Sequence, residues 1–160
     1  MATPTPYAIH VDIAPRYQRW VTAATLRAAA RAALRHQRAP HPAALTIRVT
    51  GDAELRALNR QFRAEDHATD VLSFPSGTAD PEAGRLYLGD LAVSYARASA
   101  QARRGRHPVR AELQLLVVHG VLHLLGHDHA TPAEQAVMWA AQAAILRQIG
   151  AAITAPGPLD

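Results

Sequence analysis

Cysteine and lysine are both missing from this chain of 160 residues, and aromatic residues make up only 5% of it. Without cysteine there can be no disulfide framework and no thiolate-bound metal, which suits a reducing compartment. Without lysine, all 17 basic residues are arginines, and the formal charge is +4. Arginine makes planar, two-pronged contacts to phosphate more readily than lysine does, so a polyanion is a fitting partner. A compositional bias, also visible as heavy alanine use, is the competing explanation of the same preference. Few rings are available for stacking bases. No apolar run approaches the roughly 20 residues that cross a bilayer, and neither end shows a basic start followed by an apolar signal segment. A cytoplasmic protein with no membrane partner is expected.

What is abundant is histidine, in one place. The stretch His119-Gly120-Val121-Leu122-His123-Leu124-Leu125-Gly126-His127-Asp128-His129 packs four imidazoles into eleven residues. On a helix, residues four apart share a face, so His119 and His123 can present nitrogens to a common point. Gly126 stands where a helix can stop in a left-handed turn, letting the chain double back and bring in His129. His127, four residues after His123, is a rival third ligand by helical geometry alone. A solvated helix end would also collect imidazoles, which meet its last carbonyls favourably. Against that, Val109, Leu113, Leu116, Val117, Val118, Val121, Leu122, Leu124 and Leu125 make the preceding helix apolar nearly all round, which means burial. Buried imidazoles need hydrogen bonds or a metal.

The histidine spacing is also that of the metzincin peptidases, but there a glutamate follows the first histidine and acts as general base. Here that position is Gly120, so peptide hydrolysis is demoted.

Along the rest of the chain, apolar patterning predicts a strand at Ala8 to Ile13, a long alanine-rich helix from Tyr17 to Arg38, and a strand at Leu45 to Val49. A helix should open near Asp52 with Leu55, Leu58 and Phe62 on one face, and Arg63 at its end. Val71 to Phe74 should be a strand closed by Pro75, followed by a loop through Gly84 and a strand from Leu86 to Val93. Ser94 can cap the next helix and Gly105 can end it. Arg103, Arg104, Arg106 and Arg110 bunch at the following turn, as a solvated loop or a phosphate-facing patch. Pro108 suits the first turn of the histidine-bearing helix. Thr131-Pro132-Ala133-Glu134 is a capping box for a last helix reaching Gly150, with Val137, Met138, Ala141, Ile145 and Leu146 buried. The fold class is therefore α+β, helices packed on a small mixed sheet, in a single domain over residues 1–150 with a frayed tail at 151–160.

Three blocks of residues carry a resemblance. Residues 119–129 meet the pattern H-G-x-L-H-L-x-G-Y-D-H at every fixed position but one, His127 replacing tyrosine. Leu58-Asn59 with Phe62-Arg63, followed by Thr69-Asp70-Val71-Leu72-Ser73-Phe74-Pro75, form a second block, and Gly89-Asp90-Leu91 a third. With Met138 and Ile145-Leu146 the similarity runs from about residue 45 to 150. The chain resembles the YbeY-type bacterial rRNA maturation factors, zinc-dependent endoribonucleases acting on single-stranded RNA.

That resemblance implies a zincin-like site with one Zn2+ held by His119, His123 and His129, the family placing its third ligand at 129. It implies a catalytic Arg63 that holds substrate phosphate electrostatically; paired with Glu65 or Asp66, the same arginine would be only a helix-end cation. It further implies maturation of the 16S rRNA 3′ end, ribosome quality control, and partners in the small subunit and its assembly factors, with RNA and not DNA as substrate. Three neutral ligands leave room for a water of lowered pKa, although the ribose 2′-hydroxyl is a competing nucleophile. Asp128 would orient a ligand imidazole from behind or serve as base. Asp70 and Ser73 are read as holding the sheet together. The rivals are a metallopeptidase-like hydrolase and a non-catalytic assembly module with structural zinc. Other divalent transition metals accept the same ligands.

Overall fold

Alternation of apolar residues in four segments produces a single mixed sheet. A computed structural model describes residues 6–63, 69–80, 84–151 and 153; the side chains of 63 and 78–80 lie outside the described set. The strands are β1 (Tyr7–Ile13), β2 (Ala43–Thr50), β3 (Val71–Asp80) and β4 (Arg85–Ser94), in the order β1-β2-β4-β3. β1, β2 and β4 run parallel, and β3 pairs antiparallel with β4 at the edge. The helices are α1 (Ala23–His36), α2 (Asp52–Arg63), α3 (Tyr95–Gly105), α4 (Val109–Leu124) and α5 (Pro132–Gln148). The architecture is α+β, and among the described residues no helix is long and apolar enough to cross a membrane.

The sheet has two unequal faces. Ile9, Leu45, Ile47, Val49, Leu91 and Val93 point into the main core, which also takes in α1 and α4. Leu72 and Ala92 point the other way, onto Leu55 of α2, in a small second core with Leu58 and Phe74 at its margin. Phe62, expected on the same buried face of α2, is 60% exposed. α4 is surrounded by the sheet, α1, α3 and α5, which accounts for a helix without a polar face. Even its buried Glu112 is met by His107, at 2.6 Å, and burial pushes that carboxyl above its usual range.

Several boundaries differ from the sequence expectation for identifiable reasons. The first helix starts at Ala23 because Pro15–Tyr17 forms a separate 3-10 turn. β3 runs through Pro75 to Asp80, with a register irregularity between Pro75 and Thr78; an edge strand tolerates proline because one side of it needs no ladder donor. α3 ends with Arg106 in the left-handed region (φ 57°), one residue after the glycine expected to stop it. Pro108 sits at the cap of α4, just before its first turn. In α5, Thr131 caps Glu134 as expected, but Val137 is 61% exposed and its place in the buried stripe is taken by Gln142.

Gly89 sets the approach of α4 to the sheet. β4 skips a residue there, Tyr87 pairing with Ala44 and Gly89 with Leu45, and the bulge turns Leu88 into the core. At φ 142°, a β-carbon on residue 89 would strike the Phe74 carbonyl oxygen and lie 2.9 Å from Leu124 Cδ2. Gly89→Ala should therefore destabilise the chain by about 2–4 kcal/mol, read as a lowered urea midpoint at unchanged slope.

Candidate metal centre

The last turns of α4 carry His119 and His123, and the way this helix ends determines what joins them. The Gly126 N–H bonds the His123 carbonyl and the His127 N–H bonds the Leu122 carbonyl, both at 3.0 Å, with Gly126 at φ 98°. This pair of bonds is the left-handed helix stop that glycine makes at least cost. The reversal brings His129 back beside the helix, so that one ring nitrogen from each of His119, His123 and His129 lies within 4.8 Å of the others. His127 is placed differently: its Nε2 lies 2.6 Å from Gln37 Oε1, at the end of α1. That contact ties the turn to a neighbouring helix.

Hydrogen bonds set the tautomers. His119 Nδ1 is 2.9 Å from Gln142 Oε1, and His123 Nδ1 is 2.9 Å from the His127 carbonyl oxygen. Both partners are acceptors, so each Nδ1 carries the proton and each Nε2 is left unprotonated. Those two Nε2 atoms stand 3.1 Å apart. Two lone pairs at that separation repel unless a cation lies between them. Neighbouring nitrogens in a tetrahedral zinc site, with bonds of about 2.0–2.1 Å, are about 3.3 Å apart. The donor set therefore fits a divalent ion, and the three residues can hold one.

Burial, followed by the nearby His123, lowers the His119 pKa to about 4, outweighing the Gln142 hydrogen bond. The ring, 2% exposed, is thus neutral at pH 7, the form a metal requires. Trp139 walls the site, its ring 5.8 Å from that of His119 and 5.5 Å from that of His129.

The other expected residues have plainer surroundings. Asp128 is exposed, and its Oδ1 accepts from the His129 backbone N–H at 2.7 Å, which braces the turn. Asp70, 2% exposed, accepts from the Val71 N–H at 2.8 Å and from Gln101 Nε2 at 3.2 Å, an anchor at the start of β3. The Ser73 hydroxyl donates to the Gly120 carbonyl at 3.3 Å, joining β3 to α4. At Gly120 a β-carbon would meet Leu91 Cδ2 at 2.8 Å, so this position faces the sheet. Arg63 closes α2, its side chain outside the described residues, as are Glu65 and Asp66.

Sequence reasoning missed Gln142 and Gln37. Gln142 is fully buried, and its Nε2 has no hydrogen-bond partner among the described residues. Leaving a buried amide nitrogen unmet costs about 1–3 kcal/mol, which argues that its oxygen is needed by His119. A glutamine at a core position of an otherwise apolar stripe was the available signal.

Two outcomes follow. Gln142→Ala should weaken metal affinity about 10–100-fold, measured by competition with a chromophoric chelator. In the metal-free chain, the unfolded state binds a proton to His119 below about pH 6.5 that the folded state refuses until about pH 4. Stability from this residue is thus complete above pH 6.5 and falls by about 3 kcal/mol as pH drops to 4, a dependence His119→Gln should remove in urea titrations.

The chain matches the family model described as Endoribonuclease YbeY over residues 11–150. Among curated relatives of that name, it is 40% identical to the one from Roseiflexus sp. over 149 residues, covering 89% of this chain and 92% of the relative. It is 44% identical to that of Chloroflexus aggregans, covering 81% and 89%. To the Solibacter usitatus relative it is 60% identical over 81 residues, about half of each chain. The solution structure of TM1509 from Thermotoga maritima shares the fold, with TM-score 0.58, 24% identity and 88% of each chain covered. On these grounds the chain belongs to the YbeY endoribonuclease family.

Proposed function

We propose that this chain is a zinc-dependent endoribonuclease that cuts single-stranded ribosomal RNA in the cytoplasm, maturing the 3′ end of 16S rRNA and serving ribosome quality control. The small ribosomal subunit and its assembly factors are the partners this reading implies. The observation that carries it is the meeting of the unprotonated Nε2 atoms of His119 and His123 beside His129 in a chain of this family.

In this reading His119, His123 and His129 hold the ion. When bound, it activates water and draws charge from a phosphoryl oxygen. Gln142 keeps the His119 Nδ1 protonated so that Nε2 faces the site, and the His127 carbonyl does the same for His123. Trp139 restricts solvent beside two of the rings. Arg63 holds the scissile phosphate and offsets its growing negative charge. Peptide hydrolysis is disfavoured, because the position of the peptidase base is Gly120, against Leu91.

Metal content and cleavage of a ribosomal RNA fragment, measured on one preparation before and after chelation, test the proposal. Zinc near one equivalent and cleavage lost on chelation with the fold retained are expected; unfolding on chelation would favour a structural metal. His119→Ala should abolish cleavage, and Arg63→Ala should lower it about 10²–10³-fold at unchanged metal content. Undiminished cleavage by both variants would overturn the assignment.

A further inference from the structure

At the carboxyl ends of the three parallel strands the chain builds a surface that the metal centre does not use. β1 leads into the 3-10 turn Pro15–Tyr17, and β4 passes directly into α3 at Tyr95. The rings of Tyr17 and Tyr95 stack with centroids 4.9 Å apart, and Trp20 lies 6.0 Å from Tyr95 at an interplanar angle of 21°. The Arg16 guanidinium sits 4.8 Å above the Tyr17 ring and that of Arg19 5.4 Å above the Trp20 ring. Arg97, 3.5 Å from Asp52, adds a third cation on α3.

Tyr17 is the buried footing of this group, whereas Trp20 is 58% exposed. A single exposed indole is ordinary on a folded surface; what sets this one apart is its stack on Tyr95 and the arginine over its ring. Among the described residues neither Arg16 nor Arg19 forms an ion pair. Arg16 also packs close to Gly51, just before α2, where a β-carbon would strike its Nη2. An exposed indole backed by a part-buried tyrosine, with arginines beside it that have no ion pair among the described residues, has the composition that single-stranded nucleic acid recognises, an aromatic surface for bases and cations for phosphates. An apolar protein partner would leave those guanidinium charges uncompensated.

We propose that Trp20, Tyr95, Arg16 and Arg19 form a second RNA-contacting site, a stacking platform that grips single-stranded substrate away from the metal centre. This rests on the endoribonuclease reading. α4 crosses β4 with Gly120 over Leu91 and Leu124 against Gly89, while the platform begins at Tyr95. At about 3.3 Å per strand residue, Tyr95 lies roughly 13–20 Å along β4 from where the histidine-bearing helix crosses it. A strand of several nucleotides spans them, and a very short one does not.

The test uses the metal-loaded full chain and fluorescent 2′-O-methyl oligonucleotides of about 16 and about 4 nucleotides, compared by anisotropy across a salt series. Trp20→Ala and Arg19→Glu should each weaken binding of the longer oligomer about tenfold, Trp20→Phe should restore most of it, and the shorter oligomer should bind all forms alike. Arg19→Glu should also flatten the salt dependence. In cleavage of a long RNA these variants should raise KM and leave kcat unchanged. Equal affinity of the wild type and both variants for the longer oligomer would overturn the platform and leave the patch to a protein partner. A wild-type chain that binds neither oligomer would overturn the platform and the endoribonuclease reading together.

Discussion

The packing of α4 against β4 is the constraint on which the rest depends. Gly120 lets the helix come down onto Leu91, and the bulge at Gly89 makes room for Leu124. Because the helix is then covered on every side, His119 lies in a medium that will not tolerate its charge. A neutral ring with one nitrogen already engaged has a single lone pair to offer. Burial, which looks at first like a cost to a polar side chain, is what prepares that side chain to meet a cation.

The same packing explains the division of labour around the site. Gln142 comes from α5, the His127 carbonyl from the turn after α4, and Gln37 from the end of α1, so three separate elements brace the imidazoles. Asp128, by contrast, stays in solvent and braces its own turn. His127 has a ring nitrogen 2.6 Å from Gln37, a contact that keeps the turn joined to the body of the protein.

Much of this was readable from local pattern. The all-round apolar run from Val109 announced a buried helix, Gly126 announced its stop, and Thr131 with Glu134 announced the start of the next. These features depend on residues close in sequence. Gln142 and Gln37 were not legible as site residues because their partners lie 23 and 90 positions away. β3 beyond Pro75 was misread because whether a strand tolerates proline depends on its being at an edge, a property of the assembled sheet. Periodicity alone puts Val137 and Phe62 inside, yet both are largely exposed, Phe62 with its ring against Phe74.

α1 begins just after the exposed indole of Trp20 and ends one residue before Gln37, which touches the histidine turn. Fourteen residues of helix make a strut about 21 Å long. A strut of that length is stiff, so the Gln37 contact harnesses the histidine turn to the whole of α1, and the two move as one piece.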